Sequence, residues 1–222
     1  MRFALALLVL GLSRIVLLTI WDLRAAVRRA GDARIRYSQI IGKTLSWLFP
    51  VFHLQRARSL YSYASFIFHL GILTAFLFLG NHIDILKANF GLAWPAFARP
   101  LLDVLALGTI VSGSYLFLHR IYVTSSRKLS RTMDYLLLAL ILNIFLSGYL
   151  AGQRWNPIPY DSLMLFHTLN GILLLILIPF TKIAHCVLYP LIRLGTEIAW
   201  HFSPHGGAEV VKALHGPERR RI

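Results

Sequence analysis

Five apolar runs, each about as long as a bilayer is thick, constrain this 222-residue chain more than any other feature. A hydrocarbon core of about 30 Å needs about 20 mainly apolar residues per helix. Runs of that kind occupy residues 3–21, 61–82, 101–122, 133–151 and 162–189. Hydrophobic residues make up 57% of the chain and charged ones only 14%, so little remains from which to build a separate soluble domain. The expected fold is an all-α integral membrane protein: a five-transmembrane-helix bundle over residues 1–192, then a basic cytoplasmic tail over residues 193–222. Met1-Arg2 and the apolar stretch after it resemble a signal peptide. The run continues to Trp21 without an Ala-x-Ala type cleavage site, so it reads as a retained first helix.

The formal charge is +14. On a soluble surface such an excess would suggest nucleic acid. Here the basic residues fall between apolar runs, and no nucleic-acid partner is expected. Arg24, Arg28, Arg29, Arg34, Arg36, Lys43, Arg56 and Arg58 follow the first run, where Trp47, Leu48, Phe49, Val51 and Phe52 suggest an interfacial stretch. Residues 120–131 and the end of the tail are also basic, whereas the connections near residues 84–99 and 152–161 carry few cations. Placing the basic segments in the cytoplasm puts the amino terminus outside and the carboxyl terminus inside. The single cysteine, Cys186, rules out a disulfide, a Cys-x-x-Cys-His haem attachment site and a cysteine-ligated iron–sulfur cluster within this chain.

Ionisable residues at membrane depth are costly unless paired, hydrated or metal-bound. Of nine histidines, four fall in the second and fifth runs: His69, His82, His167 and His185. On a straight helix the 18 residues from His167 to His185 make five whole turns and about 27 Å, one histidine towards each side of the bilayer. The 13 residues from His69 to His82 span about 20 Å. Because these helices run in opposite directions, His69 pairs with His185 on the inner side and His82 with His167 on the outer side. Two stacked His–His pairs suit bis-imidazole ligation of two haems between helices 2 and 5. A bland alternative for each histidine is a hydrogen-bonded residue at a helix interface, and a haem-free membrane transporter or scaffold subunit is the competing function. Gly71, Gly80 and Gly171 remove bulk beside the proposed ligands, or serve ordinary helix packing.

Beyond these spacings, the segment His167-Thr-Leu-Asn-Gly-Ile-Leu-Leu-Leu-Ile-Leu-Ile-Pro-Phe-Thr-Lys-Ile-Ala-His185 resembles the cytochrome b (gamma) subunit of respiratory nitrate reductase and its relatives in sulfur-metabolism membrane redox complexes. Ser65-Phe-Ile-Phe-His69-Leu-Gly-Ile-Leu resembles the family's first ligand motif, and Leu79-Gly80-Asn81-His82 is similar to the sulfur-metabolism relatives. The resemblance implies two haem b groups, a quinone or menaquinone as exchangeable substrate, and a prokaryotic inner-membrane location. It also implies an iron–sulfur electron-transfer partner, with a further catalytic subunit beyond it, so the chain would be an electron-transfer subunit rather than a complete enzyme. A transmembrane ferric reductase is a second redox alternative, for which no flavin–nicotinamide domain is present in the sequence.

Further candidate contacts are Arg14 and Lys182 for haem propionates, and Lys87 and Arg99 for a quinone carbonyl or a propionate. Snorkelling explains Arg14 equally well and is the alternative for Lys182, while solvated loop charge is the simpler reading of Lys87 and Arg99. His53, His119, His201, His205 and His215 lack paired placement and are assigned to interfaces or the tail.

Overall fold

A computed structural model describes residues 1–30, 37–48 and 60–202, and all regular structure among them is helical. The helices are α1 (Arg2–Ala30), α2 (Tyr37–Leu48), α3 (Leu60–Phe78), α4 (Gly80–Phe90), α5 (Arg99–Tyr122), α6 (Thr124–Leu129), α7 (Thr132–Ala151), α8 (Tyr160–Leu177) and α9 (His185–Phe202). Two 3-10 turns, Ile178–Phe180 and Lys182–Ala184, separate α8 from α9. Five segments are long and apolar enough to cross a membrane: Arg2–Arg28, Leu60–Phe78, Arg99–Tyr122, Thr132–Ala151 and Tyr160–Phe180. These correspond to the five apolar runs of the sequence.

The chain divides into two units, one of Met1–Ala6 with Leu54–Leu177 and one of Leu7–His53 with Ile178–Ile222. In the first, α3 packs on α5, α5 on α7, and α7 on α8. Ala64, Phe68, Leu116 and Leu138 form its buried centre, with Tyr61, Ile72, Tyr115 and Leu142 packed around them. Small residues set how closely these helices approach, as expected where lipid leaves little hydrophobic drive between them. A methyl group on Gly71 would collide with the Thr109 hydroxyl and come within 3.0 Å of the Leu105 carbonyl. One on Gly113 would lie 2.6 Å from the Phe68 ring and 2.8 Å from Leu142. The hydroxyls at the α3–α5 seam are bonded within their own helix, Thr109 Oγ1 to the Leu105 carbonyl at 2.7 Å and Ser112 Oγ to that of Gly108 at 2.6 Å.

In the second unit, α9 packs on α2, with Ile40 and Ile198 buried. Pro179 is buried, and Gly11 of α1 leaves room for it: a methyl there would lie 2.6 Å from the proline ring. Arg193 and the buried Glu197, one turn apart on α9, form an ion pair at 2.6 Å.

Three expectations change. The second apolar run is not one helix to residue 82: it breaks at Leu79, whose backbone is extended (φ −77°, ψ 125°), and His82 rides on the separate helix α4. The fifth run stops at Leu177. Proline cannot donate in a helix interior, and around Pro179 the chain passes through two 3-10 turns, so His167 and His185 do not share one continuous helix. The polar tail expected from residue 193 begins as helix, since α9 continues to Phe202; residues 203–222 lie outside the described residues, as do Arg34, Arg36, Phe49, Val51, Phe52, His53, Arg56 and Arg58.

The close approach at Gly71 sets a stability test. Gly71→Ala should destabilise the detergent-solubilised chain by about 1–3 kcal/mol through overpacking, whereas Gly171→Ala, with nothing within 4 Å of its added methyl, should not. Thermal unfolding of the two variants beside the parent chain checks this.

Candidate functional site

The break at Leu79 creates the site's first half. Ending α3 at Phe78 frees carbonyls that a continuing helix would have bonded, and a membrane interior offers no water to take them. Two donors do so instead, from Trp94 and Phe97, while His82 adds a second bond to the Ala75 carbonyl, which already accepts from the Leu79 backbone N–H at 3.3 Å. The Trp94 indole Nε1–H donates to the Leu77 carbonyl at 2.7 Å, the Phe97 backbone N–H to that of Phe78 at 3.0 Å, and His82 Nδ1–H to that of Ala75 at 3.0 Å. Phe78 and Phe97 stack with ring centres 4.2 Å apart, fastening the connection between α4 and α5 against the end of α3. Beside this junction Leu77, Phe78, Trp94, Pro95 and Phe97 line an open apolar groove of about 450 Å³.

The second half comes from α8 and α7. His167, half-buried on α8, donates Nδ1–H to the Ile144 carbonyl of α7 at 3.0 Å, with Ser147 Oγ at 3.3 Å from the same nitrogen. A carbonyl only accepts, so in both rings Nδ1 carries the proton and the neutral imidazole keeps its lone pair on Nε2. The two rings lie with centroids 6.4 Å apart and planes 11° from parallel.

That separation has a chemical meaning. Two imidazoles approaching one metal from opposite sides, with metal–nitrogen bonds of about 2 Å and ring centres about 1.2 Å behind the nitrogens, have centroids about 6.3 Å apart. An offset aromatic pair of the same spacing is also ordinary, at about 4.5–7 Å. Metal-ligating histidines characteristically donate their other N–H to a carbonyl or carboxylate, which fixes tautomer and ring orientation, and a histidine bonded at a helix interface can do the same. Both partners here do so. Among the described residues no three His, Cys, Asp or Glu side chains converge as a metal-binding group. The pair thus offers two nitrogens, the number a haem takes from the protein when its axial positions are both filled.

His69 and His185 show the same local habit. His69 Nδ1–H donates to the Ser65 carbonyl at 2.7 Å, and His185 Nδ1–H to the Lys182 carbonyl at 2.6 Å. Both rings are exposed, His69 on α3 in the first unit and His185 at the start of α9 in the second. His119 differs from all four. It stands between Tyr61 and Tyr115, with ring centres 4.8 and 5.7 Å away, and its Nδ1 is bonded to the Ser126 hydroxyl at 2.9 Å, an arrangement that ties α6 to the end of α5.

The chain is 35% identical, over 162 residues covering 72% of it and 71% of the relative, to a protein of Nitratidesulfovibrio vulgaris. It belongs to that protein's family. No family model matches the chain, and no solved structure does.

For this family member the remaining candidates are placed as follows. Arg99 pairs with Asp103 at 3.0 Å, and its guanidinium lies over Gly152 in the turn that ends α7, where a methyl would collide with it. It thereby braces the end of a helix, where a cation is favoured. Lys87 is exposed near the end of α4, whose last turn closes at Gly91 in the left-handed conformation (φ 70°). Arg14 on α1 and Lys182 in the second 3-10 turn are exposed and both belong to the second unit. Of the glycines singled out beside the ligands, Gly71 serves the α3–α5 contact, a methyl on Gly80 would make only an ordinary 3.8 Å contact with Ala96, and Gly171 faces open space. The glycine that does meet a candidate ligand is Gly148 of α7, which was not among those singled out: a methyl there would lie 2.8 Å from His167 Cε1. Its signal was the Ser147-Gly148 pair in an otherwise apolar helix.

Proposed function

We propose that this chain is a dihaem cytochrome b subunit of a membrane oxidoreductase, exchanging electrons between the quinone pool and an iron–sulfur partner. The observation that carries the proposal is the His82–His167 pair, near-parallel rings 6.4 Å apart with both Nδ1–H groups committed to backbone carbonyls. His82 and His167 would hold the outer haem. His69 and His185 would hold the inner one, an assignment that rests on the sequence register, on the family resemblance and on the same Nδ1 habit. A bound haem supplies one-electron chemistry at an iron whose potential depends on axial ligands, burial and hydrogen bonding.

The chain's own part is to fix the ligands and hold the site in a low-dielectric medium. The carbonyls of Ala75 and Ile144 orient the two rings and raise the electron density at Nε2. With a histidine on each side of a bound haem, no coordination position would be left for oxygen or substrate. The apolar groove beside Trp94 and Phe97 suits an isoprenoid quinone approaching the outer site from the membrane, with Lys87 the exposed cation on the neighbouring helix. Arg99, committed to Asp103, is the weaker candidate for that role. A basic inner surface, including Arg127, Lys128 and Arg131, suits an iron–sulfur partner on the cytoplasmic side of a prokaryotic inner membrane.

Two experiments follow. His82→Ala and His167→Ala should each remove one of two haems, and the same spectral component in both, so that the double variant loses no more than either single one. Loss of different components from the two single variants would separate the histidines into different sites. For orientation, a cysteine at the exposed Ser125, in a Cys186→Ser background, should be labelled by a membrane-impermeant maleimide only after permeabilisation. Labelling in intact cells would reverse the topology.

A further inference from the structure

We infer that the Ser147–Gly148 step of α7 is the positioning element for His167, holding its ring near-parallel to His82; this rests on the haem reading above. The step combines a hole and an acceptor. Any side chain at position 148 would occupy the space of the imidazole, since a Cβ there falls 2.8 Å from Cε1, 3.1 Å from Nδ1 and 3.7 Å from Nε2 of His167. The Cε1–Nδ1 edge of the ring therefore closes on the backbone of α7, and only glycine leaves room for it. One residue earlier, the buried Ser147 hydroxyl donates to the Asn143 and Ile144 carbonyls at 2.7 and 3.1 Å, which turns a lone pair of Oγ towards His167 Nδ1 at 3.3 Å. His167 Nδ1–H thus points between two acceptors, the Ile144 carbonyl and Ser147 Oγ.

Both acceptors come from one turn of one helix, so the azimuth of the ring is set by α7 although the residue belongs to α8. The 11° angle between the His82 and His167 planes is the result. Near-parallel imidazoles on a low-spin ferric haem give a rhombic electron paramagnetic resonance signal, whereas crossed imidazoles give a strongly axial one. One haem of the oxidised chain should therefore be rhombic. Removing the Ser147 acceptor weakens the hydrogen bonding of Nδ1–H, leaves the imidazole a poorer electron donor and raises the potential of that haem alone.

The test uses the full chain purified in detergent, with haem stoichiometry, redox titration and paramagnetic resonance as readouts. Ser147→Ala should keep both haems and raise the midpoint potential of the one that His167→Ala removes, leaving the other unchanged. Gly148→Ala should abolish or reshape the rhombic signal and lower haem content towards one per chain. Gly171→Ala, adding the same methyl where nothing lies within 4 Å, should change neither. If Gly148→Ala does not accumulate in membranes, Ser147→Ala alone decides. Haem content, signal and potential unaltered in Ser147→Ala, or in an assembled Gly148→Ala, would overturn this inference while leaving the dihaem reading intact. A parent chain without haem would defeat that reading itself.

Discussion

A helix that ends inside or at the edge of a membrane must find donors for its last carbonyls, and the candidate site depends on how this chain does so at Leu79. Unsatisfied carbonyls in hydrocarbon cost several kcal/mol each. The two donors found, an indole and a backbone amide, come from residues 94 and 97, and the His82 imidazole adds a second bond to the Ala75 carbonyl. The same requirement therefore brings the connection to α5 back over the end of α3, and the turn into α4 carries His82 to the Ala75 carbonyl, which fixes its tautomer. A continuous helix through residue 82 would have left Nδ1 of that histidine without this partner.

The opposing half of the site is built by packing. α8 brings His167 against α7 at the one place where α7 has no side chain to obstruct it, and the freed face of α7 offers a carbonyl and a hydroxyl. The energy of each bond is modest, about 0.5–1.5 kcal/mol net. Their value lies in geometry, because both rings are held from the Nδ1 side and the Nε2 lone pairs remain uncommitted to those bonds. The stack of α3, α5, α7 and α8 below supplies a rigid frame whose close contacts run through Gly71, Thr109, Ser112 and Gly113.

Much of this was legible in the sequence, and the parts that were not have physical reasons. Length and hydropathy placed the starts of the five apolar segments to within about two residues, because a helix crossing a bilayer must be apolar over about 20 residues; the first segment extends to Arg28 instead of Trp21, and the fifth stops at Phe180 instead of Tyr189. The pairing of His82 with His167 followed from opposite helix directions. The break at Leu79 was hidden: the apolar run passes through it without a proline, and one glycine, Gly80, is common in membrane helices. What decides the break is the set of tertiary donors from Trp94 and Phe97, which no local pattern records. Pro179 announced an irregularity but not its extent, since the turns to Ala184 also depend on Gly11 of another helix making room for the ring. Gly148 was invisible as a seat for His167 because its effect falls on a residue 19 positions away.

The measurement that bears most directly on the central claim is a pyridine haemochrome assay of the full chain, expressed with haem in excess and quantified against protein. Paired ligation by His82 with His167 and by His69 with His185 predicts two non-covalently held b haems per chain, low-spin in both oxidation states. A chain that folds and inserts in the membrane yet holds no haem, or holds it covalently, would contradict the account.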